Sequence, residues 1–171
     1  MTKAYWINTF TAVSVPHLAA FNAALRSDSD QQERSSYIGL MREEGKAEDV
    51  LSEDDGRRLR AMYDGKIPAT HVDAYVDFFH DRDALSGALA WYRAMTAALA
   101  DLPSVSVPTT YVWSDGDWAI GRVSAEACSD HVTGPFTFVE LDGTSHWIPE
   151  EAPGRLVEAI LERLRGRPSG G

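Results

Sequence analysis

Two hydrophobic rhythms divide the chain. Between residues 18 and 103 apolar side chains recur at three- and four-residue spacing, as in helices that bury one face. On either side they fall in short runs of valine, threonine and aromatic residues, which suit buried strands. Residues 9–15 form the first run. It ends at Pro16, which cannot donate to a strand ladder, so Pro16 and His17 are expected in a loop. Helices are predicted over 18–25 and 31–42, the latter with Tyr37, Leu40 and Met41 as its stripe. The polar run 42–49 reads as a solvated connector. Ser52 followed by three acids suits a helix start, because a serine oxygen and nearby carboxylates both favour the positive end of a helix. Further helices are predicted from Pro68 and over 83–99, through Leu85, Leu89, Trp91, Tyr92 and Met95.

After Pro103 the rhythm changes. Residues 105–113 and 136–141 read as strands, 121–131 as a short helix, and 151–164 as a last helix turning Leu156, Val157, Ile160 and Leu161 toward a sheet. Strand, helix, strand, helix at this spacing implies parallel strands with right-handed crossovers. The expected architecture is α/β: a short, mostly parallel three-stranded sheet interrupted by an all-helical insertion. Its parts are a first strand and lead-in over 1–17, the insertion over 18–103, a βαβα core over 104–165 and a disordered tail over 166–171.

Composition narrows the function classes. A chain of 171 residues with 44% hydrophobic and 25% charged residues has the make-up of an ordinary globular domain. Sixteen basic against 26 acidic residues leave a formal charge of -10, and no basic patch is interleaved with aromatics, so a nucleic-acid partner is not expected. The one cysteine, Cys128, has no partner for a disulfide, and no Cys/His spacing suits a metal. No cofactor is expected. The N-terminus lacks a signal-peptide pattern and no apolar run approaches membrane-spanning length, so a cytoplasmic location without membrane association is expected.

The candidate chemistry lies at two strand ends. Asp117 follows the strand over 105–113 in a loop tightened by Gly116, and His146 follows the next strand after Gly143, Thr144 and Ser145. In an open parallel sheet both positions fall at the carboxyl edge, where ligands bind. Asp117 would then fix one ring nitrogen of His146 and leave the other as a base.

Several motifs together resemble the C-terminal half of the α/β-hydrolase superfamily, in its epoxide-hydrolase and haloalkane-dehalogenase-like branch. Val107-Pro108 leading to Tyr111-Val112-Trp113 and Asp117 is similar to the family's acid-bearing strand and loop, with Ser114 where glycine is usual. Gly143-Thr144-Ser145-His146-Trp147, followed by Glu150, Glu151 and Pro153, resembles the catalytic-histidine loop. Ser14-Val15-Pro16-His17 resembles the strand end downstream of the nucleophile helix. Gly87-Ala88-Leu89-Ala90-Trp91-Tyr92-Arg93 resembles a cap segment, with Ala90 where asparagine is frequent.

The resemblance implies a partial α/β-hydrolase fold in which Asp117 and His146 are triad members and Tyr92 donates to an epoxide oxygen. Trp91, Trp113, Trp147 and His17 are candidates to line an apolar cleft. The family's Gly-x-Asp/Ser-x-Gly elbow, which carries the nucleophile on a strained strand-to-helix turn, does not occur in the sequence. The expectation is therefore a truncated chain that hydrolyses an epoxide, haloalkane or ester when a complementary N-terminal half supplies the attacking residue. That half, or a second copy of the chain, would also cover the open sheet edge, for which residues 2–8 are another candidate cover. The alternative is an inactive protein that binds a small apolar ligand or serves as an interaction module.

Overall fold

A computed structural model describes residues 15–63, 65–95 and 101–165. The chain divides into two compact units, one made of Met1–Ser35 with Ala97–Gly171 and the other of Ser36–Thr96. The expected insertion, residues 18–103, is thus wider than the second unit, because the first helices after residue 15 pack within the first. The expected strand over 9–15, the candidate edge cover over 2–8 and the tail over 166–171 lie outside the described residues, apart from Val15, which is helical.

Val15 opens helix α1, Val15–Ser27. Pro16 sits in its first turn, where amides have no helical acceptor and a missing N–H costs nothing. The proline therefore starts a helix where the sequence pattern reads it as a strand stop, and His17 is helical, not in a loop. Ala19, Ala20, Phe21 and Ala24 form the buried face of α1. The six residues of α2, Ser29–Arg34, complete this part of the unit. The helix expected over 31–42 is divided, with α3, Ile38–Met41, belonging to the other unit.

The sheet of the first unit has two described strands, β1 (Thr109–Gly116) and β2 (Phe136–Ser145), paired in parallel from Thr109 opposite Phe136 to Ser114 opposite Leu141. Between them run α7, Arg122–Glu126, and a 3-10 turn, Ala127–His131, close to the predicted helix over 121–131. Beyond β2 come α8, Ile148–Glu151, and α9, Pro153–Arg165.

One sheet face closes on the last helices through a core of Val112, Leu141, Ile148, Leu156 and Ala159. Arg163 fastens α9 to the strand starts, donating to Thr110 Oγ1 at 2.6 Å, Thr137 Oγ1 at 2.6 Å and the Thr109 carbonyl at 3.0 Å. Leu156 faces inward as expected, but Val157 and Leu161 are exposed, and with Leu164 they form a second apolar stripe. On the other sheet face the rings of Tyr111 and Trp113 meet Phe138, and Tyr111 also stacks with His17 of α1.

The second unit is helical: α3, then α4 (Lys46–Met62), α5 (Ala69–Phe79) and α6 (Arg82–Ala94) around Leu51, Leu59, Val76, Leu85 and Leu89. Helix α4 begins inside the run expected to be a solvated connector. The reason is Glu48, which is buried, accepts from the Gly45 amide at 2.8 Å and pairs with Arg93 at 2.6 Å. Where a helix start is predicted at Ser52, α4 breaks instead, with Asp54, Asp55 and Gly56 all at positive φ. Gly56 suits that turn doubly, since a Cβ there would lie 2.8 Å from Val76 Cγ1. Among the described residues no helix is long and apolar enough to cross a membrane.

Candidate functional site

The site is built where the two strands fall out of register. Ser114 pairs with Leu141, but Gly116 pairs with Ser145, so extra residues bulge from β2 at its end. Three neighbours on β1 hold the bulge. Ser114 Oγ donates to the Ser145 carbonyl at 2.8 Å, Asp115 Oδ1 accepts from the Gly143 amide at 2.7 Å, and Gly116 passes so close that a Cβ would lie 2.5 Å from the Thr144 carbonyl oxygen. On the far side Glu151 accepts from the Ser145 amide at 2.6 Å, tying α8 to the same loop. The bulge turns the chain after β2 back toward the residue that follows β1.

Those two residues are Asp117 and His146. His146 Nδ1 donates to the Asp117 carboxylate, 2.9 Å from Oδ1 and 3.0 Å from Oδ2. Asp117 Oδ1 also accepts from the amides of Ala119 at 2.8 Å and Ile120 at 2.9 Å. Asp117 is 1% and His146 8% exposed. Burial opposes ionisation of Asp117, but the hydrogen bond and charge of His146 and the two amides outweigh it and hold the carboxyl below its ordinary range. A carboxylate can only accept, so it fixes the proton on Nδ1 and leaves Nε2 as the basic nitrogen. Nε2 makes no hydrogen bond among the described residues, and the rings of Trp118 and Trp147 flank the imidazole at 5.6 and 5.2 Å.

The loop that presents these amides is fastened from α2. Gln31, 0% exposed, donates from Nε2 to the Ala119 carbonyl at 2.8 Å and accepts at Oε1 from the Gly121 amide at 2.9 Å. Arg34 donates to the Asp117 carbonyl at 2.8 Å. Sequence patterning gives no signal for either residue, since both lie in a polar run that a solvated helix would also show.

The other expected site residues have varied settings. His17 shares a 3.0 Å hydrogen bond with the Tyr111 hydroxyl. Its pKa is pushed down to about 4 by burial, with Asp117 pulling it up and His146 pushing it further down, so all three belong to one electrostatic neighbourhood. Trp147 is buried against His146. Trp113 is a brace: its indole donates to the Ile120 carbonyl at 3.0 Å, and the Arg122 guanidinium lies 4.8 Å above its ring. Cys128 is buried, and burial pushes its thiol up to about 12, which keeps it protonated and poorly nucleophilic. Among the described residues no group of three His, Cys, Asp or Glu side chains could hold a metal ion.

Tyr92 lies on α6 in the helical unit, buried and edge-on to Tyr37 with centroids 6.1 Å apart. Burial raises its pKa, opposed by a hydrogen bond with Tyr37. By its position in the sequence Tyr37 belongs to an apolar stripe, and the pairing of two phenols is visible only in three dimensions. Trp91, on the same helix, is 41% exposed.

No family model matches the chain. Among curated proteins it is 31% identical over 106 residues to epoxide hydrolase A of Mycobacterium tuberculosis (strain ATCC 25618 / H37Rv), across 58% of this chain and 32% of that protein. It is 29% identical over 174 aligned positions to the AB hydrolase superfamily protein YfhM of Bacillus subtilis (strain 168), across 97% of this chain and 60% of that one. A solved structure from a study of novel epoxide hydrolases in metagenomes from hot environments superposes with a TM-score of 0.72 at 25% identity, covering 89% of this chain and 57% of that one. The chain therefore spans between about a third and three fifths of the length of the proteins it matches.

Proposed function

We propose that this chain, whose curated and structural neighbours are epoxide hydrolase-like α/β-hydrolases, carries the acid and the base of a hydrolytic site whose nucleophile comes from residues outside these 171. The observation that carries this reading is the bidentate contact of His146 Nδ1 with both oxygens of a buried Asp117. An aspartate brought to the pair attacks the electrophilic carbon of an epoxide or haloalkane and forms a covalent ester as the ring opens or the halide departs; a serine in its place attacks the carbonyl carbon of an ester, gives its proton to His146 Nε2 for the departing alcohol, and likewise leaves a covalent ester. His146 Nε2 then takes a proton from water, whose oxygen attacks the ester and releases product and nucleophile. Asp117 steadies the imidazolium formed in that step.

Tyr92 is the proposed donor to the epoxide oxygen, stabilising the alkoxide that develops as the ring opens. Trp147 and His17 are proposed to contribute to an apolar setting for the substrate. The residues that bring the nucleophile, in the same polypeptide or a complementary one, also have surface to cover. Val157, Leu161 and Leu164 expose a stripe on α9, and apolar area removed from water stabilises association by about 25 cal/mol per Å².

The test is coexpression of this chain with the reading frame that adjoins it, followed by native mass measurement and assay of a small aryl epoxide. The expected result is an assembly that forms diol, and that loses turnover in both H146A and D117N. Ligand binding without turnover by every assembly would support a binding module instead. Full activity in H146A would reject the assignment outright.

A further inference from the structure

We propose that Gln31 is a positioning residue for the Asp117–His146 pair, holding the loop whose amides grip the acid, with Arg34 as the second fastening. Three observations carry it. Gln31 is completely buried although it belongs to a six-residue polar helix. Both ends of its carboxamide are used: Nε2 donates to the Ala119 carbonyl at 2.8 Å and to Ser35 Oγ at 2.9 Å, and Oε1 accepts from the Gly121 amide at 2.9 Å. The two backbone groups it binds flank Ile120, and the amides of Ala119 and Ile120 are the ones that donate to Asp117 Oδ1.

The loop presents a carbonyl and an amide to one side chain, so that side chain must donate and accept at once. A glutamine does both in a single plane, whereas a glutamate cannot donate when ionised and a methionine of similar length does neither. Arg34 lies three residues on, on the same helical face, and donates to the carbonyl of Asp117 itself at 2.8 Å. Helix α2 thus constrains the acid both through its main chain and through its donors. Without these bonds Asp117 keeps its charge but loses the fixed direction that selects the Nδ1–H tautomer of His146.

The proposal rests on reading Asp117 and His146 as the acid–base pair. Its readout is the pair's own hydrogen bond, so a chain that never turns over substrate still tests it, and failure of the hydrolase reading is recorded separately. The 171-residue chain is examined by proton and nitrogen-15 NMR as wild type, Gln31→Met, Arg34→Met and the exposed control Gln32→Met. The expected result is that solvent exchange of the His146 Nδ1 proton and of the Ala119 and Ile120 amides rises at least tenfold in Gln31→Met. A smaller rise is expected in Arg34→Met, with the amides of β2 unchanged in both and no change in the control. An unaltered Nδ1 proton in folded Gln31→Met overturns the proposal. If Gln31→Met does not fold, Arg34→Met decides by the same criterion, and an unaltered Nδ1 proton there overturns it.

Discussion

His146 and Asp117 meet through one nitrogen and two oxygens, at 2.9 and 3.0 Å, while two backbone amides hold the nearer oxygen from behind. The arrangement fixes which ring nitrogen carries the proton. In Asp117→Asn the amides of Ala119 and Ile120 still require an oxygen, so the new NH2 faces Nδ1. Nδ1 is expected to accept from that NH2, which moves the proton to Nε2. Nitrogen-15 shifts of the ring are expected to show that change of tautomer with the fold intact. In an assembly that turns over substrate, kcat is expected to drop by about 10⁴, the scale known for a triad acid changed to its amide. An unchanged tautomer would mean the carboxylate does not orient the ring.

A second imidazole near the pair gives a prediction about pH. Burial lowers the pKa of His17 from 6.5 to about 4, so the folded chain holds this ring neutral where the unfolded chain protonates it. As pH falls through 6.5 the unfolded state binds a proton that the folded state refuses, and stability is lost progressively down to about pH 4. Above 6.5 the contribution is fully present. Urea titrations at pH 7 and 4.5 are expected to show this loss in wild type and a smaller one in His17→Gln. A ring-proton titration of His17 with its midpoint near 6.5 would contradict the burial argument.

The sheet and the pair were legible because their signals are local. Tyr111 to Trp113 and Phe136 to Leu141 are apolar runs too short for helices, and Asp117 and His146 follow them directly. What was hidden depends on partners distant in sequence. Pro16 has the same lack of an N–H in a strand end and in a first helical turn, so its presence does not choose between them. Glu48 reads as solvated until Arg93 is brought to it, and Gln31 reads as a surface residue until the loop over 119–121 is brought to it. The left-handed turn at Asp54 to Gly56 follows a serine and acids that also suit a helix start, because the same side chains favour both.

Glu48 and Arg93 form an ion pair in the helical unit with side chains 2% and 19% exposed. Burial works against the Glu48 carboxylate, but the hydrogen bond from Arg93, its own amide, Ser86 and the Gly45 amide bring its pKa down from 4.5 to about 2. Its stabilisation is therefore present above 4.5 and lost as pH falls toward 2. Removing one partner leaves the other charge buried and unpaired, so Glu48→Ala is expected to lower the unfolding free energy by about 3–5 kcal/mol at pH 7. Replacing both residues by methionine is expected to recover most of that loss, since an apolar pair leaves no stranded charge. Urea unfolding of Glu48→Met, Arg93→Met and the double variant measures the coupling directly.

Gly116 ties strand packing to the site. A Cβ there would lie 2.5 Å from the Thr144 carbonyl oxygen and 3.3 Å from its carbon, and both are main-chain atoms of the bulge that leads to His146. Neither can swing aside as a side-chain terminus would, so Gly116→Ala must push β1 and the bulge apart. Overpacking of this kind costs about 1–3 kcal/mol. The displaced bulge also strains the bond from Ser114 Oγ to the Ser145 carbonyl and the one from the Gly143 amide to Asp115. The expected outcome is lowered stability together with faster exchange of the His146 Nδ1 proton. Ser114→Ala, which removes a bond without adding bulk, should produce a smaller change of the same sign. Thermal unfolding and NMR on both variants check this. A stable Gly116→Ala with an unperturbed His146 ring would show that the strand ends separate without carrying the site with them.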